Sequence, residues 1–424
     1  MCLSQVTNEE MTDIENECRE LIQYCVEGNV LQMSNLNFFE SLVENIHEFI
    51  FETGTLQGWC EDEDEGEDED EIFHMVYGIC EEALYCMKIP FRQNPMFIIH
   101  DTSISDIEAK LTRLKTFPNH PQRTTAWYAQ RHNLFSASNL WKLFGTQSQY
   151  NSLIYEKCNN VKKVEFEGDV LTPNARNWGV KYEPVSVMVY EHKYDTIVNS
   201  NYGCIPHSSL PIGASPDGIN EKPQHPKYGR MLEIKNIYNR EMNGIPSKEY
   251  WTQMQIQMET CRLEQCDFLE TRFKEYTREE FVEDSEHEYK SAIMFFIPKD
   301  GCEEVQSTFI YVPLCLEEDI ESWMASKKEE MPSHVLYVTC YWYLDELCCS
   351  LVERNEYWFQ ATTEILKDGW ETVLKERNDG FAHRAPQSKK KTKVEDLTVC
   401  TSSIANMVNL VKLDENGRQL ELDI

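Results

Sequence analysis

Hydrophobic positions recur three and four apart through the first third of the chain and then change rhythm. Met11, Ile14, Cys18, Leu21, Ile22 and Cys25 mark one such face, and Leu42, Val43, Ile46 and Phe49 mark another. This is the spacing of amphipathic helices, so residues 1–55 are expected to be helical. Ile72–Met87 continues the pattern until Lys88-Ile89-Pro90, and Ser105–Leu114 repeats it before the proline-rich stretch Phe117–Pro121. Beyond Gln122, helical segments alternate with short runs of strand-forming residues at Tyr194–Asn199, Met231–Ile234, Ala292–Ile297 and Thr308–Pro313. Two longer helical stretches are expected at Glu317–Met331 and Asp345–Lys375. The pattern predicts an α/β (α+β) protein with a helical accessory region at 1–120, a mixed domain at 121–377 and a polar tail at 378–424.

Charge sharpens this division. Lys+Arg number 40 against Asp+Glu 73, a net charge of −33, and Glu61–Glu71 (EDEDEGEDEDE) supplies ten of the acids. Such a run repels itself, so residues 60–71 are expected to be a disordered, solvated loop, available to a basic partner or as a mimic of DNA. A strongly acidic chain does not attract nucleic acid through its overall field, so any such contact must be a local basic groove. The run Ser388–Lys393 (SKKKTK) in the tail reads equally as a nuclear address or as solvated lysines.

Hydrophobic residues make up 41% of the 424 positions, enough for a real core and too many for wholesale disorder. No stretch reaches the roughly 18 apolar residues of a membrane helix, and the polar N-terminus lacks the order of a signal peptide. Sixteen cysteines contain no CxxC pair and never cluster with histidine at zinc spacing. They read as reduced, buried thiols of an intracellular protein, with Cys348 and Cys349 pointing apart on a helix.

One stretch carries chemistry. Gly213-Ala214-Ser215-Pro216-Asp217-Gly218 reads as a turn between strands, with Asp217 at its tip and Gly218 permitting a tight reversal. Met231-Leu232-Glu233-Ile234-Lys235 reads as a strand placing Glu233 and Lys235 on one face and Leu232 and Ile234 on the core. If the strands pair, Asp217, Glu233 and Lys235 converge at a sheet edge. Two such carboxylates suit Mg²⁺ or Mn²⁺, which activates a bound water and neutralises a phosphate oxygen, while a lysine orients that water.

Other segments fit the same site. Glu183, in Asn177–Glu183 (NWGVKYE), is a further acid. Ser247 caps a helix whose buried stripe is Tyr250, Trp251, Met254, Met258 and Cys261, with Gln253 and Gln257 at its edge. Upstream, Trp127, Arg131 and Ser138 are spaced as a helix and a turn capping the next helix, Asn139–Phe144, a ready anion site.

Taken in order, these blocks resemble the YqaJ-type viral recombinase family, which groups with phage lambda exonuclease in the PD-(D/E)xK nuclease superfamily. The matching blocks are WxxxR…SAS (Trp127, Arg131, Ser136, Ser138), WGxxYE (Trp178–Glu183), SPDG with ExK, and YxxQxQ (Tyr250, Gln253, Gln255), spanning Arg123 to about Arg262. Phe268–Tyr276 and Arg354–Phe359 are similar to versions from large eukaryotic DNA viruses. The resemblance implies a restriction-endonuclease-like core, with a central mixed sheet flanked by helices. It also implies a metal-dependent 5′-to-3′ exonuclease on double-stranded DNA, leaving 3′ single strands for viral recombination, replication or genome processing. Asp217, Glu233, the Ile234 backbone carbonyl and Glu183 would then hold Mg²⁺ or Mn²⁺, with two ions expected. Lys235 would position the attacking water, with Gln253 in support; Arg131, Ser138 and Ser136 would grip a 5′ phosphate, with Tyr250 nearby.

Expected partners are duplex DNA with 5′-phosphate ends, a single-strand annealing protein and further copies of the chain, with no membrane. The expected site of action is intracellular, the host nucleus or a viral replication site. The family's usual Thr-Ala-Ser is Ser136-Ala137-Ser138 here behind the bulky Phe135, which alters the phosphate pocket. An endonuclease or RNase of the same fold is the alternative enzyme, and an acidic scaffold without catalysis the alternative class.

Overall fold

A computed structural model describes residues 7–52, 65–93, 100, 102–120, 124–161, 174–300, 306–316 and 319–386. The N-terminal region is helical, as the periodicity requires: α1 (Asn8–Gly28), a 3-10 turn (Val30–Ser34), α2 (Phe38–Glu52) and α3 (Glu65–Cys86) pack on one another. Ile14, Cys18 and Ile22 are buried as expected, as are Leu42, Val43 and Ile46 of α2, but Ile50 rather than Phe49 closes that stripe, leaving Phe49 exposed. The acidic run departs from expectation. Its first residues lie outside the described ones, while Glu65–Glu71 opens α3. The basic run and the tail also lie outside the described residues.

The chain continues through α4 (Ile104–Leu114), α5 (Thr125–His132), β1 (Phe135–Ser136), α6 (Ala137–Leu140), a 3-10 turn (Trp141–Phe144), α7 (Gln147–Cys158) and α8 (Ala175–Tyr194). Then come β2 (Val198–Asn199), β3 (Ile205–Pro206), β4 (Ile212–Ala214), β5 (Gly218–Asn220), β6 (Met231–Asn236), α9 (Lys248–Cys261) and β7 (Gln265–Tyr276). The last elements are α10 (Arg278–Glu283), β8 (Lys290–Pro298), β9 (Thr308–Tyr311), α11 (Ile320–Glu330), β10 (His334–Glu353) and α12 (Glu356–Asp379).

A mixed seven-stranded sheet, ordered β2-β5-β6-β7-β10-β8-β9, organises the domain, and a small sheet β1-β4-β3 lies beside it. In the large sheet only β6 and β7 run parallel, joined by the α9 crossover. Helix α8 covers one face at β6, where Leu232 and Ile234 cluster with Tyr190. Met231, on the opposite face, joins the cluster containing Met254 and Met258 of α9. That same cluster runs from Ile14 through Trp251 and Trp358 to Val373, so the N-terminal helices share one core with the sheet domain.

Two segments differ from expectation. Asp345–Lys375 is not one helix: β10 extends to Glu353 and α12 begins at Glu356, capped by the Asn355 side chain. Pairing of β10 with β7 from Tyr341 to Glu353 overrides the local helical pattern. Cys348 and Cys349 therefore occupy opposite faces of a strand. The strand β7 lacks an alternating pattern because Cys266–Thr271 is buried on both faces. Among the described residues no helix is long and apolar enough to cross a membrane.

Candidate active site

The site forms where the two sheets exchange a strand. β4 belongs to the small sheet and β5 to the large one, and Ser215-Pro216-Asp217 carries the chain between them. β5 begins at Gly218, paired with Leu232 of β6. The next place along β6 has no strand residue beside it. There the Ile234 backbone N–H donates to Asp217 Oδ2 at 2.7 Å, so the carboxylate completes the ladder. N–H and C=O of one strand residue share an edge, which puts the Ile234 carbonyl on the Asp217 side. Gly218 is required for space rather than for reversal, because a Cβ there would sit 2.3 Å from Val198 Cγ1.

Strand β6 is interior, between β5 and β7, so the expected sheet-edge location is corrected: the trio lies inside the sheet layer. Glu233 is fully buried, because its face of β6 is covered by α9. Gln253 Nε2 donates to its Oε1 at 2.6 Å, Gln257 Nε2 donates to its Oε2 at 2.7 Å, and Lys235 Nζ also donates to Oε1. Gln257 reaches the Ser215 carbonyl as well, at 3.3 Å, tying the Asp217 turn to α9. The sequence placed Gln257 beside the site without giving it a task; its spacing of one helical turn from Gln253 was the signal. Gln255 points elsewhere, donating to the Glu353 carbonyl and accepting from Asn355 N–H.

Charge is crowded here. Burial, and then Glu233, push the Asp217 carboxyl well above its ordinary range, with Glu183 adding to the rise and Lys235 opposing it. Burial pulls the Lys235 ammonium down, but Glu233 and Asp217 outweigh it and hold it above the usual lysine range. Lys235 Nζ also lies 4.7 Å from the centroid of the Tyr250 ring. Two carboxylates sharing one ammonium leave negative charge that a divalent cation would neutralise, and the donors are the hard oxygens such a cation takes. Glu183, half-buried on α8, acts on Asp217 and on Tyr311 through its charge. Among the described residues no three His, Cys, Asp or Glu side chains are already gathered as a metal cluster.

The second group of expected residues gathers at β1 and α6. β1 runs parallel to β4 with Ser136 opposite Gly213, so both chains leave the pair in one direction, toward Ala137–Ser138 and toward Asp217. Arg131 stacks on Trp127, 4.6 Å from the ring, and donates to Ser138 Oγ at 3.3 Å. The helix after the turn starts earlier than expected: Ser136, buried, holds the cap position of α6, and Ser138 is exposed within its first turn. Behind Arg131, Lys157 Nζ donates to the Arg131 carbonyl at 2.9 Å, and Arg377 donates to the carbonyls of His132 and Lys157. Burial pulls the Lys157 ammonium down to about 8, with Arg131 and Arg377 adding to the fall and Glu156 opposing it. This corner is locally cationic in an acidic chain.

The Asp217…Glu233-x-Lys235 spacing, on a mixed sheet between helices, is the arrangement that the PD-(D/E)xK resemblance implies. Residues 126–264 match the model of the YqaJ-like viral recombinase domain. An uncharacterized protein of Acanthamoeba polyphaga mimivirus is 26% identical over 306 residues, covering 62% of this chain and 54% of that protein. The chain thus spans about half the length of the curated relative it matches. An alkaline exonuclease from Laribacter hongkongensis, alone and in complex with dAMP, is similar at 17% and 18% identity over 60% of this chain and 95% of each of theirs, with TM-score 0.35.

Proposed function

We propose that the chain is a divalent-metal-dependent nuclease that degrades one strand of duplex DNA from its 5′ end. The carrying observation is the buried Glu233 carboxylate, gripped by Gln253, Gln257 and Lys235 beside an Asp217 whose charge nothing in the chain fully offsets. That arrangement fixes a buried carboxylate beside a second acid, which suits a cation-assisted hydrolase. Asp217, Glu233 and the Ile234 carbonyl would hold Mg²⁺ or Mn²⁺, with Glu183 as an outer acid. The metal would stabilise charge on the phosphate and acidify a bound water.

The residues of the chain do the rest. Lys235, kept protonated by its two carboxylates, donates to the attacking water and orients it, so it is a positioning ammonium rather than a base. Gln253 and Gln257 fix the Glu233 carboxylate against rotation. Arg131 and Ser138, braced on Trp127 and Lys157, take the terminal 5′ phosphate and set the register of the first nucleotide. The exposed 3′ strand would pass to an annealing partner.

The test is digestion of linear duplex DNA labelled separately at the 5′ and 3′ ends, with Mg²⁺ and with EDTA. Early release of 5′ mononucleotides with a persisting 3′ label is expected. Internal fragments would replace this reading with an endonuclease, cleavage of RNA alone with an RNase, and absence of metal-dependent cleavage with a scaffold.

A further inference from the structure

Beside this site stands a cation that the motif set does not contain. Arg240 lies in the segment 237–247 that joins β6 to α9, with its Cζ 5.8 Å from the centroid of the Tyr250 ring over which Lys235 also lies. Its Nη2 donates to Glu270 Oε1 at 2.5 Å. Glu270 is opposite Lys235 in the β6–β7 register, so it faces the same side of the sheet. It is only 1% exposed, and its second oxygen, Oε2, is buried with no hydrogen-bond partner. A buried carboxylate with an orphan oxygen costs stability and adds nothing to packing. Its hydrogen bond holds the Arg240 guanidinium beside the Tyr250 ring.

The segment around it is fixed. Ile237 N–H donates to the Thr271 carbonyl at 2.7 Å, Arg272 donates to the Arg240 carbonyl at 2.5 Å, and Ser350 donates to the Gly244 carbonyl at 2.6 Å. Arg92, from the N-terminal region, donates to the Pro246 carbonyl at 2.6 Å. The Arg240 side chain itself remains 43% exposed, and Glu270 and the Glu241 carbonyl occupy only two directions of its five-donor fork. A pre-aimed, partly solvated guanidinium suits a phosphate, which it can bind through two parallel bonds.

We infer that Arg240 is a further substrate-positioning residue, a clamp for a backbone phosphate next to the scissile one, held in place by Glu270. The inference rests on the nuclease reading. It is tested by steady-state kinetics of wild type, Arg240→Ala, Arg240→Lys and Glu270→Gln on duplex DNA with Mg²⁺ across a KCl series. Arg240→Ala is expected to raise KM about tenfold while kcat stays within about threefold, the signature of lost binding common to ground and transition states. The slope of log affinity against log salt should fall by about 0.9, the value of one phosphate contact on duplex DNA. Arg240→Lys should recover part of the KM, since it keeps the charge but not the fork, and Glu270→Gln should fall between wild type and Arg240→Ala. A lower kcat with KM and salt slope unchanged would overturn the inference, placing Arg240 behind Lys235 and Tyr250 only; so would kinetics indistinguishable from wild type. If Arg240→Ala does not fold, Arg240→Gln, which keeps a donor for Glu270, carries the same comparison. Wild type that cleaves no nucleic acid refutes the nuclease reading itself, a result distinct from an unaffected Arg240 variant.

Discussion

Replacing Asp217 with asparagine should separate chemistry from folding. Without a divalent cation, an ionised Asp217 would sit half-buried beside Glu233, and Lys235 with the Ile234 N–H offsets only part of that cost. A carboxyl whose folded pKa is raised retains its proton where the unfolded chain has lost it, so stability falls as pH rises from the unfolded value toward the folded one. Asparagine removes that penalty and keeps an oxygen for the Ile234 N–H. The expected gain in EDTA at neutral pH is about 1–2 kcal/mol, the usual size of a functional-site trade-off. At roughly 2–4 °C per kcal/mol, this is a rise of several degrees in Tm. Wild type should also gain about 2.7 kcal/mol when Mg²⁺ is a hundredfold above its Kd, and the variant should lose most of that shift. Cleavage should fall at least several hundred-fold, the general weight of metal charge stabilisation, on the order of several kcal/mol. Differential scanning fluorimetry in EDTA and in a Mg²⁺ series, alongside the digestion assay, measures all three. An unchanged or lower Tm in EDTA together with an undiminished Mg²⁺ shift would refute the placement of Asp217 at a cation site.

Three further outcomes are expected. Gln257→Leu removes the donor to Glu233 Oε2; loss of a charge-assisted bond is worth about 1.5–3 kcal/mol, so kcat should drop roughly 10–100-fold, read in single-turnover cleavage. Arg131→Ala should abolish any preference for 5′-phosphorylated over 5′-hydroxyl duplex ends, because its contact with Ser138 and its stack on Trp127 build the phosphate corner; a preference that survives unchanged would move the phosphate site elsewhere. Burial lowers the Lys157 ammonium to about 8 in the fold, against an ordinary 10.5. The unfolded chain therefore binds the extra proton between those values and stability should rise with pH there, by up to about 3 kcal/mol. Urea midpoints at pH 7.5 and 9.5 should show this rise in wild type and its loss in Lys157→Met.

Much of the site was legible because its signals are local. Glu233 and Lys235 are two apart on a short strand, and Gln253 and Gln257 are one turn apart on a helix, so spacing alone aligned them. What was not legible depends on distant pairing. Nothing in Asp345–Glu353 announces a strand until β7 lies beside it for its whole length. Arg240 lies outside every block, and Glu270, though within Phe268–Tyr276, had no task there: Glu270 matters because β6–β7 register sets it opposite Lys235, and Arg240 because Glu270 is there. The burial of Glu233 was likewise hidden, since an ExK strand looks solvent-facing until α9 is laid across it. The start of α6 was misread because Ser136 and Ser138 are equivalent as capping residues in sequence, and only the pairing of β1 with β4 chooses between them.

The charge of the chain and the chemistry of the site act over different distances. A net charge of −33 repels a phosphate backbone at long range, while Arg131, Lys157 and Arg377 gather at the β1–α6 corner and Lys235 and Arg240 flank the Tyr250 ring. Salt screens over about 10 Å at 0.1 M, so it weakens the long-range repulsion before it reaches partly buried ion pairs such as Arg240 on Glu270. On the nuclease reading, moderate salt therefore eases encounter and shortens residence. Arg131 is held by an aromatic ring and Arg240 by a single buried carboxylate, which leaves guanidinium donors of both for substrate. On the nuclease reading, an acidic protein would in this way handle nucleic acid at the one place where Asp217 and Glu233 carry the reaction.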